Sequence, residues 1–423
     1  MNKPEPINVV EIICHSFRHM DPRLISHGER VSYILMKMLE ETRRYTLQEK
    51  HDIFMLGLLH DIGAYKDSEI DAMLSFDTEE TMEHSVFGYL LFKTFSPLQQ
   101  YADVILYHHH CNAQYYSVPI SSYHRDIAKL IYLADRIDIF CVQNPDGDLN
   151  AFLEQYNGNT FYPSDIHWFW KTEEKYHLLE HITSLAYLEE VGDYIERHSK
   201  LTADQAYKYL MTFIFSVDFR SDYTALHTNY AVQLSKNIAH TLHLPVGSLK
   251  TIETAALLHN LGKVSLNNPL MNTEDYDHYV KALYNDSTLA VTRDILSDNV
   301  EEPILSLIEE SSLLLKSWTM DEQITASPAP SAEIVALSYL MSNTLSLEMN
   351  VSYCHHPRLL SFLRDKYKSC DMNDSILRTL EKSFDQIIEN TQRSCSNIYD
   401  TYHQMMSEYR SLNIVLKHYN SKY

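Results

Sequence analysis

Residues 57–63 read GLLHDIG, and residues 256–262 read ALLHNLG. A histidine-led apolar stretch precedes each phrase: HGERVSYILMKMLEETRRY begins at His27, and HTNYAVQLSKNIAHTLHL begins at His227. Each histidine stands at nearly the same distance from the phrase that follows it. Matching spacing and matching apolar context predict that the chain contains an internal duplication.

The composition favours helices. Only 9 Gly and 13 Pro occur among 423 residues, which argues against a turn-rich all-β architecture. The apolar residues of 31–39 and 53–59 are dense enough for largely buried helices. A chain of this length can form two domains, each with its own core. We therefore predict an all-α protein of two tandem domains, residues 1–200 and residues 201–423.

Charge and cysteine usage limit the function classes. The formal net charge is -22, which excludes a protein that coats duplex nucleic acid with a basic surface. An acidic protein can still bind a phosphorylated small molecule where bound cations supply positive charge. The six cysteines form no Cys-x-x-Cys pair, a pattern typical of reduced cytosolic thiols. The sequence has no secretory signal pattern and no apolar run long enough for a membrane span, so we predict a cytoplasmic protein.

The C-terminal region, residues 376–416, has the apolar periodicity of one or two long helices. The apolar positions recur in steps of four and three residues. They are Ile398, Tyr402, Met405, Tyr409, Leu412 and Leu416. Two interpretations remain open, namely packing of this seam on its own domain and a homodimer contact.

The first half of the chain contains a set of histidines and aspartates that suits metal binding. The candidates are His27, His60, Asp61, His84, His108, His109 and Asp135. Imidazole and carboxylate without thiolate suit Fe, Mn or Zn, and a carboxylate next to a histidine can bridge two ions. Asp135 follows the apolar run IYLA, where a carboxylate is costly unless it is paired or metal-bound. A lone histidine in a chain with 23 of them is usually a packing or surface residue, so the prediction depends on the ordered set.

That order resembles the HD superfamily of metal-dependent phosphohydrolases and, more narrowly, its HD-GYP subgroup. The resemblance covers about residues 7–165 and, more faintly, residues 207–345. The matching phrases are HGERV from His27, HDIG from His60, His84 with Gly88, the pair His108-His109, and Ala134-Asp135.

The resemblance implies an all-helical fold and a site for two divalent ions, with Fe or Mn expected and Zn as the alternative. One ion would be held by His27, His60, Asp61 and Asp135. The other would be held by Asp61, His84, His108 and His109. His60 and Asp61 would then be the central catalytic residues, and the substrate would be a phosphorylated small molecule such as a nucleotide.

Three departures from the subgroup limit what the resemblance implies. Ala64 stands where the subgroup has a lysine after HDIG, which leaves Lys66 and Arg30 as candidate contacts for substrate phosphate. The Gly-Tyr-Pro phrase is missing from HHHCNAQYYSVP at 108–119, so specificity for cyclic di-GMP is not implied. Arg23 occupies the position where some members carry a third-ion glutamate, so we expect two ions.

The second half lacks most of the candidate ligands. Asn260 replaces the bridging carboxylate, and 286–292 contains no histidine at the place where His84 should recur. By position, Glu309-Glu310 is expected near the His-His site, and Tyr339 near the site of Asp135. We predict a degenerate domain with a structural or regulatory role.

The leading hypothesis is a phosphodiesterase or phosphohydrolase that acts on a nucleotide, the class that includes cyclic and linear dinucleotides. A non-catalytic signalling scaffold that binds a nucleotide or a partner is the first alternative. Retention of all seven ligands in the first half counts against it. A di-iron oxygenase is the second alternative, since some HD proteins oxidise substrates with the same ligand set.

Overall fold

The computed structural model is all-helical, and the residues that it describes contain no β-strand. The described residues are 8–20, 26–40, 42–64, 82–112, 114–116, 118–198, 200–219, 226–266, 285–320, 328–348, 360–361, 363–364 and 374–420. The predicted fold class is therefore confirmed.

In the described residues, the α-helices follow one another from the first segment to the last. They are α1 (Val9–Arg18), α2 (His27–Glu40), α3 (Leu47–Leu59), α4 (Met82–Phe95), α5 (Ala102–Tyr107), α6 (Ser122–Gln143), α7 (Leu149–Gln155), α8 (Pro163–Tyr176), α9 (Leu178–Thr183), α10 (Tyr187–His198), α11 (Ala203–Asp218), α12 (His227–Thr241), α13 (Val246–Leu258), α14 (Asp286–Leu296), α15 (Glu302–Met320), α16 (Pro330–Glu348) and α17 (Asp374–Asn420). Short 3-10 turns occur at Gln99–Tyr101, Gln114–Tyr116 and Leu261–Ser265.

The chain groups into two compact units. We call Pro22–Ser216 with Met405–Tyr423 the N-terminal unit, and Met1–Asp21 with Val217–Gln404 the C-terminal unit. Helix α1 thus groups with the second half of the sequence, and the division lies near residue 216. That residues 1–200 and 201–423 form two domains with separate roles stays a prediction.

Local sequence signals explain where several helices begin. Thr46 and Glu49 form a capping box at the start of α3, each side chain bonding the other's backbone N–H. Ser121 accepts a hydrogen bond from the backbone N–H of His124 and caps α6. These caps fix the start of the helix that ends just before His60 and Asp61 and the start of the helix that contains Asp135.

In the N-terminal unit, α2 packs against both α3 and α6. The start of α2 lies very close to the end of α3, since a Cβ at Gly28 would come within 2.5 Å of the Leu58 carbonyl oxygen. Glycine therefore permits an approach that any larger residue would prevent. As a result, His27 and His60 become neighbours, with ring centroids 5.2 Å apart.

In the C-terminal unit, α12 packs against α13 and α16, and α13 and α16 both contact α15. This order of helices corresponds to α2, α3, α5 and α6 of the N-terminal unit. Duplication itself stays a prediction, and the correspondence serves below as a guide to which side chains occupy matching places.

The predicted apolar seam of α17 is buried or half-buried along its length. Near the C-terminal end of that helix, the Tyr409 hydroxyl donates to Glu83 at 3.4 Å, and its ring lies edge-on to Phe87. These contacts show that this part of the seam packs within the N-terminal unit, whereas a homodimer stays a prediction. None of the helices in the described residues has both the length and the hydropathy that crossing a bilayer requires.

Candidate metal centre

Five segments of the N-terminal unit bring the seven predicted residues together. His27 is the first residue of α2, His60 and Asp61 directly follow α3, and His84 lies in α4. His108 and His109 directly follow α5, and Asp135 lies in α6. Six of the seven are buried, and the Asp61 side chain is 13% exposed.

The carboxylate of Asp61 lies at the centre of the cluster, and its two oxygens face different histidines. Oδ2 is 3.5 Å from Nε2 of His27 and 3.1 Å from Nε2 of His60. Oδ1 is 3.4 Å from Nε2 of His84 and 3.6 Å from Nε2 of His108. This carboxylate can therefore bridge two adjacent cation positions.

Asp135 extends the first of these positions. Its Oδ1 lies 3.3 Å from Nε2 of His27 and 4.0 Å from Nε2 of His60. Its other oxygen accepts hydrogen bonds from Nε and Nη2 of Arg136, at 2.9 and 2.8 Å. One carboxylate oxygen thus faces the histidines, and the other is paired with a buried guanidinium.

His109 belongs to the second position. Its Nε2 is 3.0 Å from Nε2 of His84, a separation that suits two imidazoles bound to one ion. The candidate ligands form two groups, and within each group the ligand atoms lie within 4.8 Å of one another. They are His27, His60 and Asp61, and Asp61, His84, His108 and His109. Within the described part of the chain, no other such groups of His, Cys, Asp and Glu occur.

Three of the imidazoles are oriented by hydrogen bonds on the side away from the cluster. Nδ1 of His60 donates to the Gly57 carbonyl at 2.7 Å, and Nδ1 of His108 donates to the Ile105 carbonyl at 2.6 Å. Nδ1 of His27 bonds Asp138 at 2.7 Å. Each bond selects the tautomer whose Nε2 lone pair points into the cluster, the usual arrangement around a metal-binding histidine.

The polar atoms at the centre provide the test of whether metal ions fit. The buried atoms without a hydrogen-bond partner include Nε2 of His27, His60 and His108, both oxygens of Asp61, and Oδ1 of Asp135. Unsatisfied buried polar atoms are costly and need an explanation. Divalent cations between them would satisfy the whole set, and its nitrogen and oxygen donors suit Fe, Mn or Zn.

Electrostatics keep the two carboxylates ionised. Burial raises the pKa of Asp61, but the His60 charge and the nearby His108 and His27 imidazoles outweigh burial and hold the pKa well below its usual value. For Asp135, burial is outweighed by the Arg136 charge, and its pKa falls to about 2. Both side chains are therefore in the form that binds cations at neutral pH.

The histidines divide into two classes. Burial lowers the pKa of His84 to about 3 and lowers that of His109 well below its usual value. Burial also acts on His27, but the three nearby carboxylates of Asp135, Asp138 and Asp61 outweigh burial and raise the pKa well above the usual value. The pKa of His60 is raised for the same reason, because the Asp61 charge outweighs burial.

The corresponding place in the C-terminal unit is closed by hydrogen bonds between protein groups. Nδ1 of His259 donates to Oδ1 of Asn260 at 2.9 Å, and the Asn260 amide donates to Nε2 of His227 at 3.2 Å. The Ser312 hydroxyl donates to Nε2 of His259, and Nδ1 of His227 donates to the Ser342 hydroxyl, both at 3.2 Å. All four ring nitrogens therefore have partners.

Matching close contacts identify which residues replace the missing ligands. A Cβ at Gly63 would lie 2.0 Å from the His84 carbonyl oxygen, and a Cβ at Gly262 would lie 2.0 Å from that of Thr288. Thr288 thus takes the place of His84, and Ser312, at the same spacing as His108 from His84, takes the place of His108.

Glu309-Glu310 was expected near the His-His position, and the side chain that contacts His259 is that of Ser312, two residues later. Glu309 pairs with Arg293, and Glu310 accepts from the Ala329 backbone N–H. The expectation for Tyr339 is consistent with the structure, since its ring stacks on that of His259 with centroids 4.3 Å apart.

The two residues predicted to contact substrate phosphate are Arg30 and Lys66. Arg30 directs its guanidinium to Asp138, donating from Nε to Oδ1 at 2.5 Å and from Nη2 to Oδ2 at 3.0 Å. Lys66 and Arg23 lie outside the described residues. Sequence reasoning missed Asp138, although its position three residues after Asp135 places both carboxylates on one face of α6.

Comparisons with known proteins agree with this geometry. The HD domain family matches residues 24–139, which include all seven residues of the cluster. HD domains bind divalent metal ions. A 3'3'-cGAMP-specific phosphodiesterase from Vibrio cholerae is 25% identical over 264 residues, covering 57% of this chain and 59% of that protein. The match thus spans somewhat more than half the length of this relative.

A solved structure of a cyclic GMP-AMP specific phosphodiesterase from V. cholerae is similar in fold. It matches with a TM-score of 0.51 and 14% identity, covering 90% of this chain and 98% of that chain. The likeness thus extends well beyond residues 24–139 and includes both units.

Proposed function

Since residues 24–139 match the HD domain family, we propose that the N-terminal unit is a metal-dependent phosphodiesterase that acts on a nucleotide. The observation that carries the proposal is the Asp61 carboxylate, whose two oxygens face two separate groups of histidines. A scaffold that only binds a partner has no need of this constellation.

We assign the ligands as two sets that share Asp61. The first ion would be held by His27, His60, Asp61 and Asp135. The second would be held by Asp61, His84, His108 and His109. Fe or Mn is the expected metal and Zn the alternative, because the donors are imidazole and carboxylate without thiolate.

The chemistry follows from the ligand geometry. Two bound ions would supply an activated water and positive charge to stabilise the transferring phosphoryl oxygens. Asp61 would contribute one oxygen to each ligand set, and His60 directs its Nε2 toward that carboxylate at 3.1 Å. Asp135, whose other oxygen is paired with Arg136, would contribute a single oxygen to the first set.

Cyclic dinucleotides are the proposed substrate class, with 3'3'-cGAMP first among them. The support is the named specificity of the relative from V. cholerae and the overall acidic character of the chain, which makes bound cations the natural counter-charge for phosphate. Linear dinucleotides are the alternative substrate within the broader nucleotide class. The cytoplasmic location remains a prediction.

The test combines metal analysis with a substrate panel. The full chain is purified without a chelating tag, its Fe, Mn and Zn are measured, and it is assayed on 3'3'-cGAMP, cyclic di-GMP, linear dinucleotides and a generic phosphodiester. Asp61→Ala is the test variant, and Asn260→Ala, at the corresponding position of the second phrase, is the matched control.

Two ions per chain and cleavage that Asp61→Ala abolishes and Asn260→Ala retains would support the proposal. A metal-free protein without turnover would contradict it and favour the non-catalytic scaffold. Oxygen consumption with a mixed-valent iron signal would also contradict it and favour the di-iron oxygenase.

A further inference from the structure

Asp138 is a buried carboxylate with 1% of its surface exposed, one helical turn after Asp135 on α6. It lies behind His27 as seen from the cluster, and its Oδ2 is 2.7 Å from Nδ1 of that ring. His27 thus lies between two aspartates of one helix, with Nε2 directed at Asp135 and Nδ1 at Asp138.

Arg30 holds Asp138 in this position. Its Nε donates to Oδ1 and its Nη2 donates to Oδ2, a two-point contact that fixes the plane of the carboxylate.

An ion pair between Arg30 and Asp138 could by itself be a packing feature of the unit. The geometry of Asp138 indicates more than packing, because a single oxygen, Oδ2, accepts hydrogen bonds from both the Arg30 guanidinium and the His27 imidazole. A carboxylate behind a metal-binding histidine fixes the ring orientation and the tautomer and increases the donor strength of the other nitrogen. Each of these effects applies to Nε2 of His27.

The C-terminal unit provides an internal comparison. Three residues after Tyr339, Ser342 takes the place of Asp138 and accepts from Nδ1 of His227 at 3.2 Å. Three residues after His227, Tyr230 takes the place of Arg30. Where the metal-binding constellation is missing, a neutral hydroxyl is sufficient behind the histidine, and neither the carboxylate nor the arginine is present.

We propose that Asp138, fixed by Arg30, is a positioning residue that sets His27 for the first metal ion. The inference rests on the proposed two-ion function. It removes Arg30 from the substrate contacts and assigns it a role in the outer shell of the metal centre. It also predicts that the two ions differ in their dependence on Asp138, since His27 belongs to the first ligand set alone.

The test measures Mn²⁺ affinity on the full chain after removal of bound metal. Wild type, Asp138→Asn and Asp126→Asn are titrated calorimetrically, and their Mn²⁺ resonance spectra are recorded. Asp126→Asn is the matched control, because it removes a carboxylate of the same helix that pairs with Arg44 and does not contact the cluster. Thermal unfolding of each metal-free protein reports whether the fold is intact.

We expect Asp138→Asn to weaken one of two binding steps by about 10- to 100-fold and to leave the other unchanged. With one ion retained, its spectrum should be that of an isolated Mn²⁺, whereas wild type and Asp126→Asn should show coupled pairs. If Asp138→Asn fails to fold because Arg30 loses its partner, the double variant Asp138→Asn with Arg30→Gln removes that unpaired cation and should show the same selective loss.

Unchanged affinity for both ions in folded Asp138→Asn would overturn the inference and leave the proposed function intact. Equal weakening of both steps in a folded variant would also overturn it, because a general structural role affects both ions. A wild-type chain that binds no Mn²⁺, Fe or Zn would contradict the proposed function itself.

Discussion

The phrases GLLHDIG and ALLHNLG have similar backbone contacts, but the buried polar groups around them differ in their hydrogen bonding. In each, a glycine lies in close contact with a backbone carbonyl of a later helix, and a histidine from an earlier helix lies beside the phrase. Around Asp61 the buried nitrogens and oxygens point at one another without partners, whereas around Asn260 all four histidine nitrogens are hydrogen-bonded.

The difference shows what a metal site requires beyond its histidines. Asn260 offers a donor as well as an acceptor, so it can pair with both His227 and His259. Asp61, when ionised, only accepts, and its oxygens and the Nε2 atoms of His27, His60 and His108 that face it lack hydrogen-bond partners. The Asn260 amide, together with the Ser312 and Ser342 hydroxyls, therefore satisfies the second cluster with protein groups, whereas the first leaves its atoms for cations to satisfy.

The position after each phrase differs as well. Lys263 follows ALLHNLG and forms a buried ion pair with Asp218, whereas the corresponding residue of the first phrase is the buried Ala64. The C-terminal unit thus contains a positive charge of its own where the N-terminal unit, on our account, relies on metal ions.

Exchanging the residue after the histidine in each phrase, Asp61 and Asn260, is expected to have the largest effect. Asp61→Asn converts the first phrase to the second and should reduce phosphodiesterase activity by at least about 10³-fold, about 4 kcal/mol of transition-state stabilisation. The reciprocal change, Asn260→Asp, should leave activity within about 2-fold, because no further ligands accompany it. Initial rates on 3'3'-cGAMP check both, and substantial activity in Asp61→Asn would contradict a bridging role.

The Lys263–Asp218 pair predicts a large loss of stability in the C-terminal unit. Lys263→Met leaves a fully buried carboxylate without its cation and should lower the free energy of unfolding by about 3–5 kcal/mol. Lys236→Met is the control, since its partner Glu253 is 43% exposed and such pairs contribute about 0–1 kcal/mol. Urea denaturation measures both, and equal losses would show that burial of the pair is unimportant.

The smallest expected effect concerns how the two phrase-bearing helices begin. Helix α3 starts with the Thr46–Glu49 capping box, while α13 starts after Pro245 with no side-chain cap. Thr46→Ala should therefore cost about 1 kcal/mol of unfolding free energy. Thr251→Ala, whose hydroxyl only bonds back to the Gly247 carbonyl within α13, should change it by less than about 0.5 kcal/mol.

Much of the fold and of the candidate site was accessible from sequence. Low Gly and Pro content and apolar periodicity predicted the all-α class, and the ordered His and Asp phrases predicted which side chains meet. Four of the five phrases lie at the beginning or the end of a helix, while Asp135 lies inside α6, where its apolar neighbours marked it as a buried carboxylate.

What the sequence did not reveal depends on contacts between distant segments. Asp138 was missed because its partner His27 lies 111 residues away, and nothing local marks a carboxylate that orients a histidine. Glu309-Glu310 was matched to the His-His site by position, whereas the structure places Ser312, two residues later, against His259. Grouping of α1 with the C-terminal unit likewise arises from packing that no motif indicates.

The most direct test of the central claim is the metal content of the full chain, measured for wild type, Asp61→Asn and His259→Ala. The account predicts two ions per chain in wild type, at most one in Asp61→Asn, and two in His259→Ala, because both ions lie in the N-terminal unit. Loss of an ion in His259→Ala, or two ions retained in Asp61→Asn, would contradict it.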